Sequence, residues 1–372
     1  MAKHNAANTR IKREYFAYLE EAQRRGEASI DAVTKALARF EAANGHKDFK
    51  SFHRRQAVAF KRKLDKELAV RTGKPLSRAT VNSTLSALRA FFIWLAGQSG
   101  YKSRLSYTDA DYFNLAEKDV RIATAVRHKP FPSLEQVHHV LANMPSGTAI
   151  ELRNRALIAF ALLTGARDGA LASFKLKHVD LVQCRVDQDA REVRTKASKT
   201  FTTWFFPVGD EALPIVRDWC DYLRTVLLWG DDDPLFPPTL IGRGENRGFA
   251  PVGVRRECWH GAGPIRDIFR KSFEAAGLPY FNPHSFRDTL VQLGERVCTT
   301  VEEFKAWSQN LGHERVMTTL TSYGTVPPHR QAELIRGIGE ARRAVGTAKL
   351  TREQEAGLRA LLAQQPPAAP LS

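Results

Sequence analysis

The stretch "LGHERVMTTLTSYG" (residues 311–324) sets His313 ten residues before Tyr323, behind a Leu-Gly pair. Taken alone the pair argues nothing, because a tyrosine is ordinarily a half-buried side chain with a satisfied hydroxyl. Two stretches upstream change its weight. "NPHSFRDTL" (282–290) carries His284 and Arg287, which a helix would present on one face at i, i+3. "LLTGARDGALASFKLKHVDL" (162–181) carries Arg167 just after an apolar run, with Gly165 allowing a close backbone approach. Singly, an arginine near a helix end is a common surface ion pair and an H-x-x-R is frequent by chance. The ordered set is not bland.

Composition narrows the partner. Among 372 residues, 43% are hydrophobic and 26% charged, which suits packed domains, and the length suits two of them with tails. Lys and Arg number 56 against 40 Asp and Glu, a net charge of +16. Such self-repulsion is relieved by a polyanion, either nucleic acid or an anionic membrane. The longest apolar run, "ALIAFALL" (156–163), falls far short of the roughly 20 residues that span a bilayer. The N-terminus has no apolar signal region. Cys184, Cys220, Cys258 and Cys298 form no C-x-x-C pair, so neither a disulfide framework nor a zinc site is expected, and a reducing cytoplasm is. Nucleic acid is the expected partner.

Residues 51–100 hold ten cations and two acids, a net of +8. Arg54, Arg55, Lys61, Arg62, Lys63, Arg78 and Arg89 are among them and are the candidate DNA contacts. The region reads as helices: Ala57, Phe60, Leu64 and Leu68 recur at helical spacing, as do Val81, Leu85, Leu88, Phe92 and Leu95 between an N-cap at Ser77 and a stop at Gly97 or Gly100. With amphipathic segments near 10–25 and 29–43, residues 10–115 are expected to form a four-helix domain with a cationic surface, behind an arm at 1–9. Residues 116–131 carry Pro130 and little periodicity, and read as a linker. A second domain spans 132–340, with a helix from Ser133 to before Pro145, a buried helix in "RNRALIAFALLTGAR" (153–167), and mostly helix beyond. Its β element is "EVRTKASKTFTTWFFPV" (192–208), expected as a ribbon turning near Ala197-Ser198. Residues 341–372 form a tail with a capping box at Thr351 and Gln354 and a leucine stripe, suited to docking on its own domain or on another subunit.

A phenol that attacks a phosphodiester must shed a proton of pKa about 10, and the phosphate's charge must be neutralised as phosphorus becomes pentavalent. The leaving 5′ oxygen needs a proton donor. Without a metal this calls for guanidiniums that grip phosphate oxygens bidentately, ringed by imidazole or ammonium donors.

The three stretches resemble the boxes of the tyrosine recombinase (phage integrase) family: "TGAR" its first arginine box, "HSFRDT" its H-x-L-R-H-T box and "LGHERVMTTLTSYG" its L-G-H…Y box. The likeness runs over roughly 132–330, and more loosely over 10–110 to the family's helical core-binding domain. It implies a mostly α chain with a small β-sheet or β-hairpin in the catalytic domain. It also implies an N-terminal SAM-like core-binding domain, the two domains clamping double-stranded DNA. It implies further that Tyr323 is the nucleophile of a 3′-phosphotyrosyl link, that Arg167 and Arg287 clamp phosphate oxygens, and that His284 and His313 donate to phosphate, with His284 also receiving the phenolic proton. The family's general-acid lysine falls on Lys199, with Lys196 as the alternative. No cofactor and no metal are expected, and self-association on paired recombination sites, as a tetramer, is. Two positions depart from the family: Ala170 where glutamate is usual and Asp288 where histidine is usual.

Other readings are weaker. A metal-dependent nuclease needs separated carboxylates, whereas Asp231-Asp232-Asp233 are contiguous and followed by proline. A DNA-binding regulator leaves the Arg, His and Tyr set idle. A type IB topoisomerase uses similar chemistry, and the two-domain size with three boxes favours recombination between defined sites.

Overall fold

The computed structural model of the chain describes residues 4–70, 73–125, 129–243 and 248–313. In chain order these form α1 (Ala6–Ala17), α2 (Glu27–Asn44), α3 (Arg54–Leu64), α4 (Arg78–Ala96), α5 (Glu117–Thr124), α6 (Leu134–Asn143), α7 (Ala149–Thr164), α8 (Asp168–Leu171), β1 (Val179–Asp180), β2 (Arg185–Gln188), β3 (Phe201–Trp204), α9 (Ala212–Thr225), β4 (Thr239–Arg243), β5 (Phe249–Val254), α10 (Gly263–Ala275), α11 (Ser285–Val297) and α12 (Val301–Asn310). The chain divides into two units between Val126 and Arg127. It is mostly helical with small sheets, as expected.

The first unit is built on α4. Ser77 caps it by accepting from the Thr80 N–H, Gly97 closes it, and Val81, Leu85, Leu88, Phe92 and Leu95 are all buried. Phe40 of α2, fully buried, meets the rings of Phe49, Phe60, Phe92 and Phe113 at centroid distances of 5.3–6.5 Å. Burying a side chain of that size stabilises by about 1.5–3 kcal/mol, and edge-on ring pairs add to it. Three expectations need correction. Residues 6–9 are no arm: Asn8 is buried in the first turn of α1, where its amide donates to Glu41 Oε1 (3.1 Å) and the Lys47 carbonyl (3.0 Å). The α3 stripe ends at Leu64; Leu68 lies past the helix, 56% exposed, in a bridge with Pro75. Half of the expected linker is α5, which packs on α4 and belongs to the first unit.

In the second unit α7 is buried all round from Ala156 to Leu163, which explains its uninterrupted apolar run, and Gly165 ends it in the left-handed region. The β element differs from the expectation for 192–208. β3 pairs antiparallel with β2, Gln188 opposite Phe201 and Arg185 opposite Trp204, and β1 lies on the far side of β2. Residues 189–200 connect the two strands, and Ala197 and Ser198, the expected turn, stand at the tip with φ of 58° and 51°. The β-branched and aromatic run thus contributes one strand, its partner being the short, polar β2. A second hairpin, β4–β5, interrupts the region expected to be helical. Arg153, buried in α7, holds its base: it donates to the Pro237 carbonyl and to Thr239 Oγ1 (3.0 Å).

Candidate active site

The site begins where α7 ends. Gly165 has φ of +58°, and a Cβ there would stand 2.9 Å from both Leu290 of α11 and Leu311. The missing side chain lets α11 and the segment after α12 close on the end of α7. Arg287, in the first turn of α11 and 2% exposed, lies at the junction. Its Nη1 donates to the Gly165 carbonyl (2.8 Å), and its Nη2 donates to the Leu311 carbonyl (2.5 Å) and to His313 Nε2 (2.8 Å). Three stretches distant in sequence therefore meet on one guanidinium. Because arginine only donates, Nε2 of His313 is the acceptor, so the ring is neutral and carries its proton on Nδ1.

Electrostatics agree with that assignment. Desolvation, then the charges of Arg287, Arg167, His284 and Lys199, push His313 down to about 4. Desolvation and the guanidiniums of Arg287 and Arg167 likewise push His284 down to about 4. His284 keeps an exposed edge at the N-cap of α11, so the two neighbouring cations are the firmer cause there. Arg167, half-buried, caps α8, and its carbonyl receives the Leu171 N–H (2.9 Å). Arg167, Lys199, His284, Arg287 and His313 thus share one electrostatic neighbourhood.

The hairpin bearing Lys199 is fixed to the His313 segment by residues with no motif to mark them. A Cβ on Gly312, whose φ is +72°, would lie 2.7 Å from the ring of Phe201 at the start of β3. Asn310 mimics a neighbouring strand: its Oδ1 accepts from the Trp204 N–H (2.7 Å) and its Nδ2 donates to the Trp204 carbonyl (2.8 Å). A lone asparagine before Leu-Gly-His gives no sequence signal of that role. Lys199 immediately precedes Thr200 and β3, and Lys196, exposed, lies three residues earlier.

Tyr323 and the 341–372 tail lie outside the described residues. Of the first unit's candidate contacts, Arg55, Arg62 and Lys63 are exposed on α3. Four others are engaged: Arg54 with the Tyr112 hydroxyl (3.3 Å), Lys61 with the Asn114 carbonyl (3.0 Å), Arg78 with Asp65 (2.6 Å) and Arg89 with Asp111 (2.8 Å). The expected cationic surface is therefore partly neutralised by its own neighbours, Asp65 and Asp111. The contiguous aspartates are each ion-paired, Asp231 to Arg224, Asp232 to Lys177 and Asp233 to Arg256. Among the described residues no group of three His, Cys, Asp or Glu side chains gathers as metal ligands would, and no helix is long and apolar enough to cross a membrane.

Residues 13–99 match the family model for the phage integrase N-terminal SAM-like domain. The chain is 24% identical over 256 residues to the tyrosine recombinase XerC of Lactobacillus delbrueckii subsp. bulgaricus, covering 67% of this chain and 72% of that one. A lambda integrase dimer bound to a COC′ core site shares its fold, with a TM-score of 0.56 at 13% identity over 85% of this chain and 95% of that one. A lambda integrase tetramer bound to a Holliday junction aligns at 0.53 and 14% identity, over 88% and 84% of the respective chains.

Proposed function

From a chain that belongs to the tyrosine recombinase (phage integrase) family, we propose a site-specific DNA strand exchange that runs through a covalent 3′-phosphotyrosyl link at Tyr323. The Tyr323 oxygen attacks the scissile phosphorus and its proton passes to His284. The bond from phosphorus to the 5′ oxygen breaks, and Lys199 protonates that oxygen as it leaves. Rejoining is the reverse, with a 5′-hydroxyl of the other strand attacking the phosphotyrosine. One phosphodiester is exchanged for another, so no external energy source is needed.

The observation that carries this reading is the meeting of Gly165, Leu311 and His313 on Arg287. Those three partners are themselves neutral, and they orient the guanidinium. A charge fixed before the substrate arrives costs no reorganisation as the pentavalent phosphate forms. The same positive surroundings keep His284 neutral and able to accept a proton. The phosphate's negative charge would raise both imidazoles towards their ordinary range, which favours that transfer. Arg167 and Arg287 would hold the non-bridging oxygens, and the Nδ1–H of His313 would donate to one of them.

On this reading the partner is duplex DNA bearing paired recombination sites, held by a tetramer. Residues 6–125 are the core-binding domain, and Arg55, Arg62 and Lys63 its phosphate contacts. The task is integration or excision of a mobile element, carried out in the cytoplasm at the nucleoid. The test is a suicide DNA substrate whose sequence is taken from DNA trapped covalently in the host. Wild-type protein should form a protein–DNA adduct and Tyr323→Phe none. An adduct that survives Tyr323→Phe would overturn the nucleophile, and plasmid relaxation without exchange between two sites would replace recombination by topoisomerase action.

A further inference from the structure

The connection between β2 and β3 (residues 189–200) bears both candidate lysines, and its two halves differ. The first half is anchored. Val193 is buried, and the Glu192 carboxylate bonds His178 Nε2 (2.9 Å) and Lys177 Nζ (2.8 Å). The tip is strained, since Ala197 and Ser198 both occupy the left-handed region without being glycine. Such backbone persists only where the surrounding structure over-determines it. On the β3 side, strand pairing and Asn310 hold it. On the other side stands Arg194.

Resting on the reading of Lys199 as general acid, we infer that Arg194 is a positioning residue that holds the Lys199 loop against the segment that carries Arg167. Its backbone N–H donates to Ser173 Oγ (2.9 Å), and its carbonyl lies 3.2 Å from where a Cβ on Gly169 would stand. Its Nη2 donates to the Ala172 carbonyl (2.9 Å) and to the Trp259 carbonyl, and its Nη1 donates to the His260 carbonyl (2.8 Å). Gly169, Ala172 and Ser173 belong to α8 and the turn that closes it, directly after Arg167. One planar fork thus joins three segments: the α8 turn, the 259–260 loop and the root of the lysine tip. A lysine's ammonium could not span three carbonyls set in that fork. The guanidinium donors point at protein carbonyls, so Arg194 acts through Lys199 and not on the phosphate. Its role is to set where the Lys199 ammonium stands when it passes a proton to the 5′ oxygen as the phosphorus–oxygen bond breaks.

The test compares adduct formation on ordinary suicide DNA with that on DNA carrying a 5′-bridging phosphorothiolate, whose sulfur leaves as a thiolate without a proton. With full-length protein, Arg194→Gln should slow the ordinary substrate about 10²-fold, the scale of a misplacement near 1 Å, and should approach the wild-type rate on the sulfur substrate. Arg194→Lys, which keeps the stem and the charge, should show the same split and serves if Arg194→Gln does not fold. Slowing of both substrates alike, or an unchanged rate on ordinary DNA, overturns the inference. Lys199→Ala run alongside separates the two levels. If sulfur rescues Lys199→Ala but not the Arg194 variants, only the positioning role falls. If sulfur does not rescue Lys199→Ala, the general-acid reading fails and takes the inference with it.

Discussion

Arg287 is both a candidate catalytic group and a structural tie. Its replacement should show both effects. Arg287→Lys leaves a charge but gives up the fork that satisfies the Gly165 and Leu311 carbonyls, and an unmet buried acceptor costs about 1–3 kcal/mol. Chemical denaturation should report that loss, together with a cleavage rate lowered by at least about 10²-fold. Arg167→Ala should lower the cleavage rate comparably, and an unchanged rate would remove Arg167 from the site. The imidazoles give a pH signature. His284 and His313 both fall to about 4 in the folded chain, below the ordinary 6.5. Between those values the unfolded chain binds more protons, so stability rises with pH through the window and falls as acid is added. Melting temperatures of wild type and His313→Gln should converge as pH drops from 7 to about 4.5. Parallel curves would show that His313 does not carry the linkage.

At the scale of elements, the helices follow from local chemistry. The Ser133–Gln136, Thr148–Glu151 and Thr300–Glu303 capping boxes start α6, α7 and α12. The hairpin does not follow so directly, because β3 is held not only by β2 but also by Asn310, over a hundred residues away in sequence. Asn310→Ala removes both bonds to Trp204 and should destabilise by about 1–3 kcal/mol, with faster hydrogen exchange in 201–204. Unchanged exchange there would show that β2 alone holds the strand. In the first unit, Phe40→Ala opens a cavity among five rings, those of Phe49, Phe52, Phe60, Phe92 and Phe113, and should cost about 3–5 kcal/mol, read from urea melts of that unit.

For the molecule as a whole, the unit boundary makes a sharper statement than the sequence did. With α5 packed on α4, limited proteolysis should cut between residues 124 and 130, leaving 116–124 with the first unit. A fragment ending at Ala125 should bind duplex DNA with an affinity that falls steeply with salt. Replacing Arg55, Arg62 and Lys63 by alanine should flatten the log–log salt slope by about 0.9 for each phosphate they neutralise. Alanine at Arg78 and Arg89, which already face Asp65 and Asp111, should flatten it less. An equal effect from both sets would show that Asp65 and Asp111 do not neutralise their arginines towards DNA.

By itself the sequence determined the helical character, the caps at Ser77 and Ser133 and the buried stretch 156–163, and it offered Arg167, His284, Arg287 and His313 as candidates. Those signals are local: periodicity, capping oxygens and short motifs act within a few turns of chain. Only the tertiary structure decided the rest. It paired β3 with β2 across a twelve-residue connection, where propensity alone pointed to a partner inside 192–208. It brought the Gly165 carbonyl, 122 residues away, onto Arg287, and it set Asp65 and Asp111 against Arg78 and Arg89. A hydrogen bond or ion pair between distant residues exists only once both ends are packed, and periodicity carries no record of which ends will meet.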